Sequence, residues 1–200
     1  MKTNDELIDY LEKSIGILKT PAIIEAFRSI DRTDFVREGY KREAYQNYPL
    51  PIGNSQTISQ PYTVAFMLEL LQPKEDSHIL DVGCGSCYTT ALLAKIAKKG
   101  KVVGVEIDKK LVEFCKSNLR KYDFNNIEIY NADKLPPTKS KFDRILVSAA
   151  AERLPEELLN ALKEGGRMVI PVQSSIFLIE KQNNKIKMQE HYGFAFVRLR

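Results

Sequence analysis

Apolar residues recur at helical spacing through the first part of the chain: Leu7, Leu11, Ile15 and Leu18, then Ile23, Ile24 and Phe27. Asn4 or Asp5 is expected to cap the first of these helices, and Thr20 before Pro21 has the form of an N-cap and first helical position for the second. Over residues 40–61 the pattern turns irregular and polar, punctuated by Pro49, Pro51, Gly53 and Pro61. A structureless connection of that length inside a compact domain tends to be functional, which makes it a candidate binding loop. Pro61 opens a third helix with Val64, Ala65, Leu68 and Leu71 on one face. The period then shortens. Segments 79–82, 102–107, 127–130, 144–148 and 167–172 are brief apolar runs, most of them rich in Val and Ile, and helical stretches at 88–98, 109–121 and 155–163 separate several of them. That alternation predicts an α/β architecture with a doubly wound, mainly parallel sheet. The run S-S-I-F-L-I-E-K-Q-N-N-K-I-K-M predicts two strands about an Asn183–Asn184 turn, and G-F-A-F-V-R-L-R one more, so the C-terminal end should supply antiparallel edge strands. The expected organisation is a single domain over 1–200: helices and polar loop in 1–72, parallel core in 73–172, edge strands in 173–200.

Composition narrows the classes. The chain has 200 residues, 44% apolar and 28% charged, enough to bury a core. Lys and Arg number 30 against 26 Asp and Glu, a net +4, too small a surplus for a dedicated nucleic-acid binder. No apolar run approaches the roughly 20 residues that cross a bilayer, and the acidic start M-K-T-N-D-E lacks the form of a signal peptide, so a cytoplasmic protein is expected. Three cysteines and two histidines argue against a disulfide scaffold, a metal site or a His-based triad. Lys95, Lys98, Lys99 and Lys101 read as a solvated helix end.

In H-I-L-D-V-G-C-G-S-C-Y-T-T-A-L-L-A a strand runs through a glycine loop into a helix starting near Cys87. Gly83 and Gly85 let the backbone pass close under a ligand, and the helix start offers unpaired N–H groups. Glu106 ends the next strand, 21 residues after Gly85, near the spacing at which an acid bonds a ribose hydroxyl. Asp133 follows the third strand and can face the base of the same ligand. A dinucleotide fingerprint would need glycine at position 88, which is Tyr88. Asp81, at the strand end, would repel a pyrophosphate but suit a cation, so S-adenosylmethionine, with its sulfonium and ammonium, fits better. Cys84 and Cys87 form a C-x-x-C whose simplest reading is two small residues lining the loop; redox use is the alternative.

In Y-P-L-P-I-G-N-S-Q-T-I-S-Q-P-Y, Ser59 lies two residues before Pro61, and residue chemistry alone makes it a helix N-cap. The segment nevertheless resembles the signature P-L-P-I-G-x-G-Q-T-I-S-x-P of the protein-L-isoaspartate O-methyltransferase family. The likeness extends along nearly the whole chain through D-V-G-C-G-S-C-Y-T-T-A-L-L-A, V-G-V-E-I-D, F-D-R-I-L-V-S-A-A-A, L-K-E-G-G-R-M-V-I-P-V and F-A-F-V-R-L. The resemblance implies a Rossmann-like sheet under an N-terminal helical cap. It also implies methyl transfer from S-adenosylmethionine to the α-carboxylate of L-isoaspartyl residues in damaged proteins, with Ser59 catalytic, Gln56, Thr57 and Ile58 shaping the substrate loop, and Asp81, Gly83, Gly85, Glu106 and Asp133 holding the cofactor. Partners would be damaged proteins met by a monomer, with no stable nucleic acid and no membrane. Five positions depart from the pattern. Asn47 stands where Asp is usual, and Ser55, Cys87, Lys134 and Gln173 stand where glycine is. Cys87 should fit without strain if it lies in the first helical turn. A methyltransferase acting on RNA or a small molecule, and a noncatalytic nucleoside-binding module, are the alternatives.

Overall fold

The computed structural model describes residues 1–131, 141–183 and 185–199. Helix α1 (Asn4–Asp9) is capped by Thr3, whose hydroxyl accepts from the Glu6 amide at 3.2 Å, one residue ahead of the expected cap. It then widens into a π turn over Tyr10–Ser14 rather than running on, which buries Leu7, Ile8 and Leu11 together. Helix α2 (Pro21–Ser29) has Thr20 at its N-cap, as expected, but the Thr20 hydroxyl donates to Glu69 instead of capping. The segment expected to be structureless holds a hairpin of β1 (Leu50–Gly53) and β2 (Gln56–Ile58) before helix α3 (Pro61–Leu71). Its turn, Asn54–Ser55, has both residues at positive φ, 51° and 57°, the type that matches the twist of paired strands.

The core follows as β3 (His78–Val82), α4 (Tyr88–Ile96), β4 (Lys101–Glu106), α5 (Lys109–Leu119), β5 (Ile127–Asn131), β6 (Phe142–Val147), α6 (Glu156–Ala161), β7 (Leu162–Val172), β8 (Ser175–Gln182) and β9 (Lys185–Tyr192). The strands form one sheet in the order β5-β4-β3-β6-β7-β8-β9, parallel from β5 to β7 and antiparallel at β8 and β9. The fold class is therefore the one anticipated, with two differences. Strand β7 begins at Leu162, because α6 stops at Ala161 and the chain pairs with β6 at once. The last segment is not a strand: only Arg198 bridges to Ala150, so residues 194–199 run across the end of β6 rather than along the sheet edge. Strand β9 closes that edge, almost wholly exposed, with Lys185, Lys187 and Glu190 along it. Charges of this kind discourage pairing with other chains.

One face of the sheet packs under the helical cap. Leu7, Phe27, Leu68, Ile79, Leu92 and Val102 belong to one buried cluster that joins α1–α3 to α4 and the strands. The opposite face buries Leu80, Ile145, Leu158, Met168 and Ile179. Among the described residues, no helix is long and apolar enough to cross a membrane. Lys99 pairs with Glu75 and Lys101 with Glu128, in keeping with a solvated helix end.

Ser55 and Gln173 carry a testable cost. Both adopt left-handed backbone, φ 57° and 55°, where an L side chain is strained and glycine is not. Ser55→Gly and Gln173→Gly are each expected to stabilise the protein by up to about 1 kcal/mol, nearly additively given their separate turns, as read by denaturant unfolding.

Candidate active site

The sheet order reverses between β3 and β6: the chain winds outward through β4 and β5, then returns to the other side of β3. The crevice beyond the carboxyl ends of those two strands is where such sheets bind ligands. Gly83 and Gly85 follow β3 there with φ of 72° and 54°, and Cys87 follows them at 68° as the N-cap of α4. Cys87 thus lies outside the first helical turn, contrary to expectation, in a conformation that glycine would adopt freely. It is held in a disulfide with Cys115 of α5, which the sequence reading did not anticipate because 28 positions separate them. Cys84 is free and buried.

A cavity of about 110 Å³ opens over this loop. Gly83, Gly85, Glu106, Gln56, Thr57, Ile58 and Ser59 all line it, so the structure brings together seven of the nine residues singled out from the sequence. Asp133 lies outside the described residues. Asp81 is not on the wall. It sits fully buried in β3, where its Oδ2 accepts from Thr89 at 2.9 Å and Thr90 at 2.7 Å, tying the start of α4 to the strand. Its Oδ1 has no partner among the described residues, and burial lifts its carboxyl to about 6 against the pull of the two threonines.

Glu106 is 6% exposed and braces the loop: one carboxylate oxygen accepts from the Gly85 amide and the other from the Asp108 amide, both at 3.0 Å. Each oxygen keeps a lone pair for a hydroxyl. Among the described residues the wall bears Glu106, Asp108 and a single cation, Arg198, with Ile52, Val105 and Ile107 as apolar surface. That donor set suits a nucleoside with positive charge and does not suit a pyrophosphate.

The β1–β2 hairpin roofs the cavity. Ile52 reaches the glycine loop so closely that a Cβ at Gly85 would lie 3.1 Å from its Cδ1. Arg37 donates to the Ile52 carbonyl at 2.6 Å and stacks over Phe114 at 3.8 Å, clamping the hairpin to α5. At the tip Asn54 donates to Asp108, 2.6 Å away, while Asp108 also caps α5. Arg37 carried no signal in the sequence; Asp108 did, as an acid just before a helix. Asn47 accepts from the Tyr62 amide at 3.0 Å, so this departure serves to cap α3.

Ser59 is not the N-cap of α3. Gln60 holds that place, and the Ser59 hydroxyl has no hydrogen-bond partner among the described residues. A second, wider cavity of about 640 Å³ is lined by Pro49, Tyr62, Phe194, Phe196 and their neighbours. The two cavities share Thr57, Ser59, Ser148 and Val197. No residue pattern along the chain signals that the C-terminal segment helps to build both. His191 packs edge-on against Phe66 at 5.1 Å.

Fold and site together define a doubly wound α/β protein with a cavity at its switch point whose donor set suits a nucleoside-type ligand, beside a second and wider cavity. Comparison with known proteins sharpens the class. The family model for protein-L-isoaspartate(D-aspartate) O-methyltransferase matches residues 2–200, and the chain belongs to that family. It is 40% identical over 207 residues to the protein-L-isoaspartate O-methyltransferase of Methanopyrus kandleri, covering 99% of this chain and 91% of the relative. It is 47% identical over 174 residues to that of Aliivibrio salmonicida, covering 86% and 82%. Among solved structures, a Plasmodium falciparum chain provisionally assigned to the same activity, in complex with S-adenosyl-L-homocysteine, superposes with a TM-score of 0.89 at 27% identity, over 100% of this chain and 99% of that one.

The raised carboxyl of Asp81 fixes the sign of a pH effect. Its contribution to stability is complete below the unfolded value near 3.8 and is lost as pH rises through about 6. The stability difference between Asp81→Asn and wild type should therefore be flat below pH 4 and move in favour of the variant by up to about 3 kcal/mol between there and pH 7, in unfolding experiments across that range.

Proposed function

We propose that the protein transfers the methyl group of S-adenosylmethionine to the α-carboxylate of L-isoaspartyl residues in damaged proteins, the step that begins their repair. The observation that carries this reading is the placement of Ser59: a hydroxyl unengaged among the described residues, on the wall that a narrow, acid-lined cavity shares with a wider one. When bound, S-adenosylmethionine supplies an electrophilic methyl group on a sulfonium centre. Glu106 would hold the ribose hydroxyls, and the turn at Gly83 and Gly85 would let the backbone approach the ligand. Asp133 is assigned to the base on the family resemblance alone. Asp81 acts from beneath, by fixing the threonines of α4 and adding negative charge below a cationic ligand.

The chain needs no general base for this reaction. A substrate carboxylate is already ionised near neutral pH, with an ordinary value around 4, and is itself the nucleophile. What remains is positioning. Ser59 donates to one carboxylate oxygen and leaves the other in line with the methyl group, Thr57 and Gln56 shape the loop, and the hairpin roof excludes water. Tyr62, Phe194 and Phe196 give the wider cavity an apolar lining on which extended peptides of varied sequence can lie. We place the protein in the cytoplasm as a monomer that meets damaged proteins. The surplus of +4 supports neither a stable nucleic-acid complex nor membrane attachment.

With labelled S-adenosylmethionine and paired L-isoaspartyl and L-aspartyl peptides, only the isoaspartyl peptide should be methylated; equal labelling of both, or none, overturns the proposal. Ser59→Ala should lower kcat by about a hundredfold, the scale of losing one positioning donor, while S-adenosylhomocysteine affinity measured by calorimetry stays within about twofold. Glu106→Gln should do the reverse, weakening that affinity on the order of tenfold or more because a buried carboxylate–hydroxyl bond is lost.

A further inference from the structure

All three cysteines of the chain meet at one point. Cys84 belongs to the glycine loop, Cys87 caps α4 and Cys115 lies on α5, yet their sulfurs lie within 4.8 Å of one another. All are buried, with Leu119 and Ile129 packed around them. Gly104 of β4 makes the room: a Cβ there would stand 3.3 Å from the Cys84 sulfur and 2.6 Å from the Ile129 Cδ1. In the structure Cys87 and Cys115 are joined, with Cα atoms 5.0 Å apart, and Cys84, a residue of the narrow cavity's lining, places a third sulfur beside them. None of the three sulfurs is assigned a contact with the methyl donor or the acceptor in the reaction described above.

We propose that the reduced cluster is a three-thiolate binding site for a thiophilic trivalent centre of the arsenite type, entered from the narrow cavity through Cys84. Three sulfurs bonded at about 2.3 Å to a common centre lie about 4 Å apart or less, so the observed envelope needs only side-chain adjustment once the disulfide opens. Charge selects the ligand. Three thiolates around a monovalent or divalent ion leave net negative charge in an apolar pocket, beside Asp81 and Glu106, whose fields together with burial already push the Cys84 thiol well up. A trivalent centre leaves the complex neutral. The chemistry balances in two steps. A phosphine reduces the disulfide to two thiols, taking up oxygen from one water to become the phosphine oxide. Arsenous acid then condenses with three thiols, forming three As–S bonds and releasing three waters with no change in oxidation state.

The test uses the full chain, reduced with a phosphine so that no competing thiol is present, and titrated with arsenite. Native mass spectrometry should show one arsenic per reduced chain, thiol titration should show three thiols consumed, and the oxidised chain should bind none. Cys84→Ser, which keeps the disulfide pair, should weaken uptake by the reduced chain by at least about a hundredfold, since a donor at the centre matters at least as much as its supports. The proposal is overturned if reduced wild type takes up no arsenic, if only two thiols are consumed with Cys84→Ser binding equally well, or if the urea-unfolded reduced chain binds as tightly. It is equally overturned if circular dichroism shows that reduction alone unfolds the protein.

Discussion

The site rests on left-handed backbone at alternate positions 83, 85 and 87. That conformation lets β3 give way to α4 within a few residues while keeping the amide of Gly85 turned toward Glu106. The resulting bond ties the loop after β3 to the end of β4. Two of the three positions are glycine and pay nothing for the geometry in steric strain. The third is cysteine, and there a covalent link to α5 holds what a side chain would otherwise resist. Asp81 completes the support from below by anchoring two threonines at the start of α4.

The hairpin and the C-terminal segment are built onto this base from opposite directions. Arg37 links the hairpin to α5 through Ile52 and Phe114, and Asn54 links its tip to Asp108. The C-terminal segment is pinned to the loop after β6 by the amide of Ala150, which donates to the Val197 carbonyl, and by the amide of Leu199, which donates back to Ala150. Thr57 and Ser59 from one side therefore face Ser148 and Val197 from the other. Residues far apart in the chain meet on a single wall because the hairpin is anchored to α5 and the C-terminal segment to the loop after β6.

The parallel core was legible in the sequence because short Val- and Ile-rich runs between amphipathic helices admit few topologies. The glycine loop with Glu106 was legible because its chemistry is local. The hairpin was not: β1 and β2 together form fewer than ten residues, two of the interruptions are proline, and its turn uses Asn and Ser where glycine would have announced it. The reading of 194–199 as a strand failed because an alternating apolar pattern suits any extended segment with one buried side, and here that side faces a loop. Cys115 was missed because proximity across α4 and α5 leaves no mark in spacing. Three of the departures from the family pattern prove to share one physical character: Ser55, Cys87 and Gln173 all occupy left-handed backbone, the conformation for which glycine is the unstrained choice.

The wall of four residues between the cavities also fixes which reactant the protein encloses. The narrow side is closed in by a roof and a loop, and can be shaped in detail because the molecule it receives is the same in every turnover. The wide side is lined by Tyr62, Phe194 and Phe196 among others, and on the proposed reading it receives a short stretch of polypeptide that differs from one client to the next. On that reading, a lesion is recognised by the reach of one carboxylate to one hydroxyl, and the range of clients is then limited by how well damaged segments can leave their own folds.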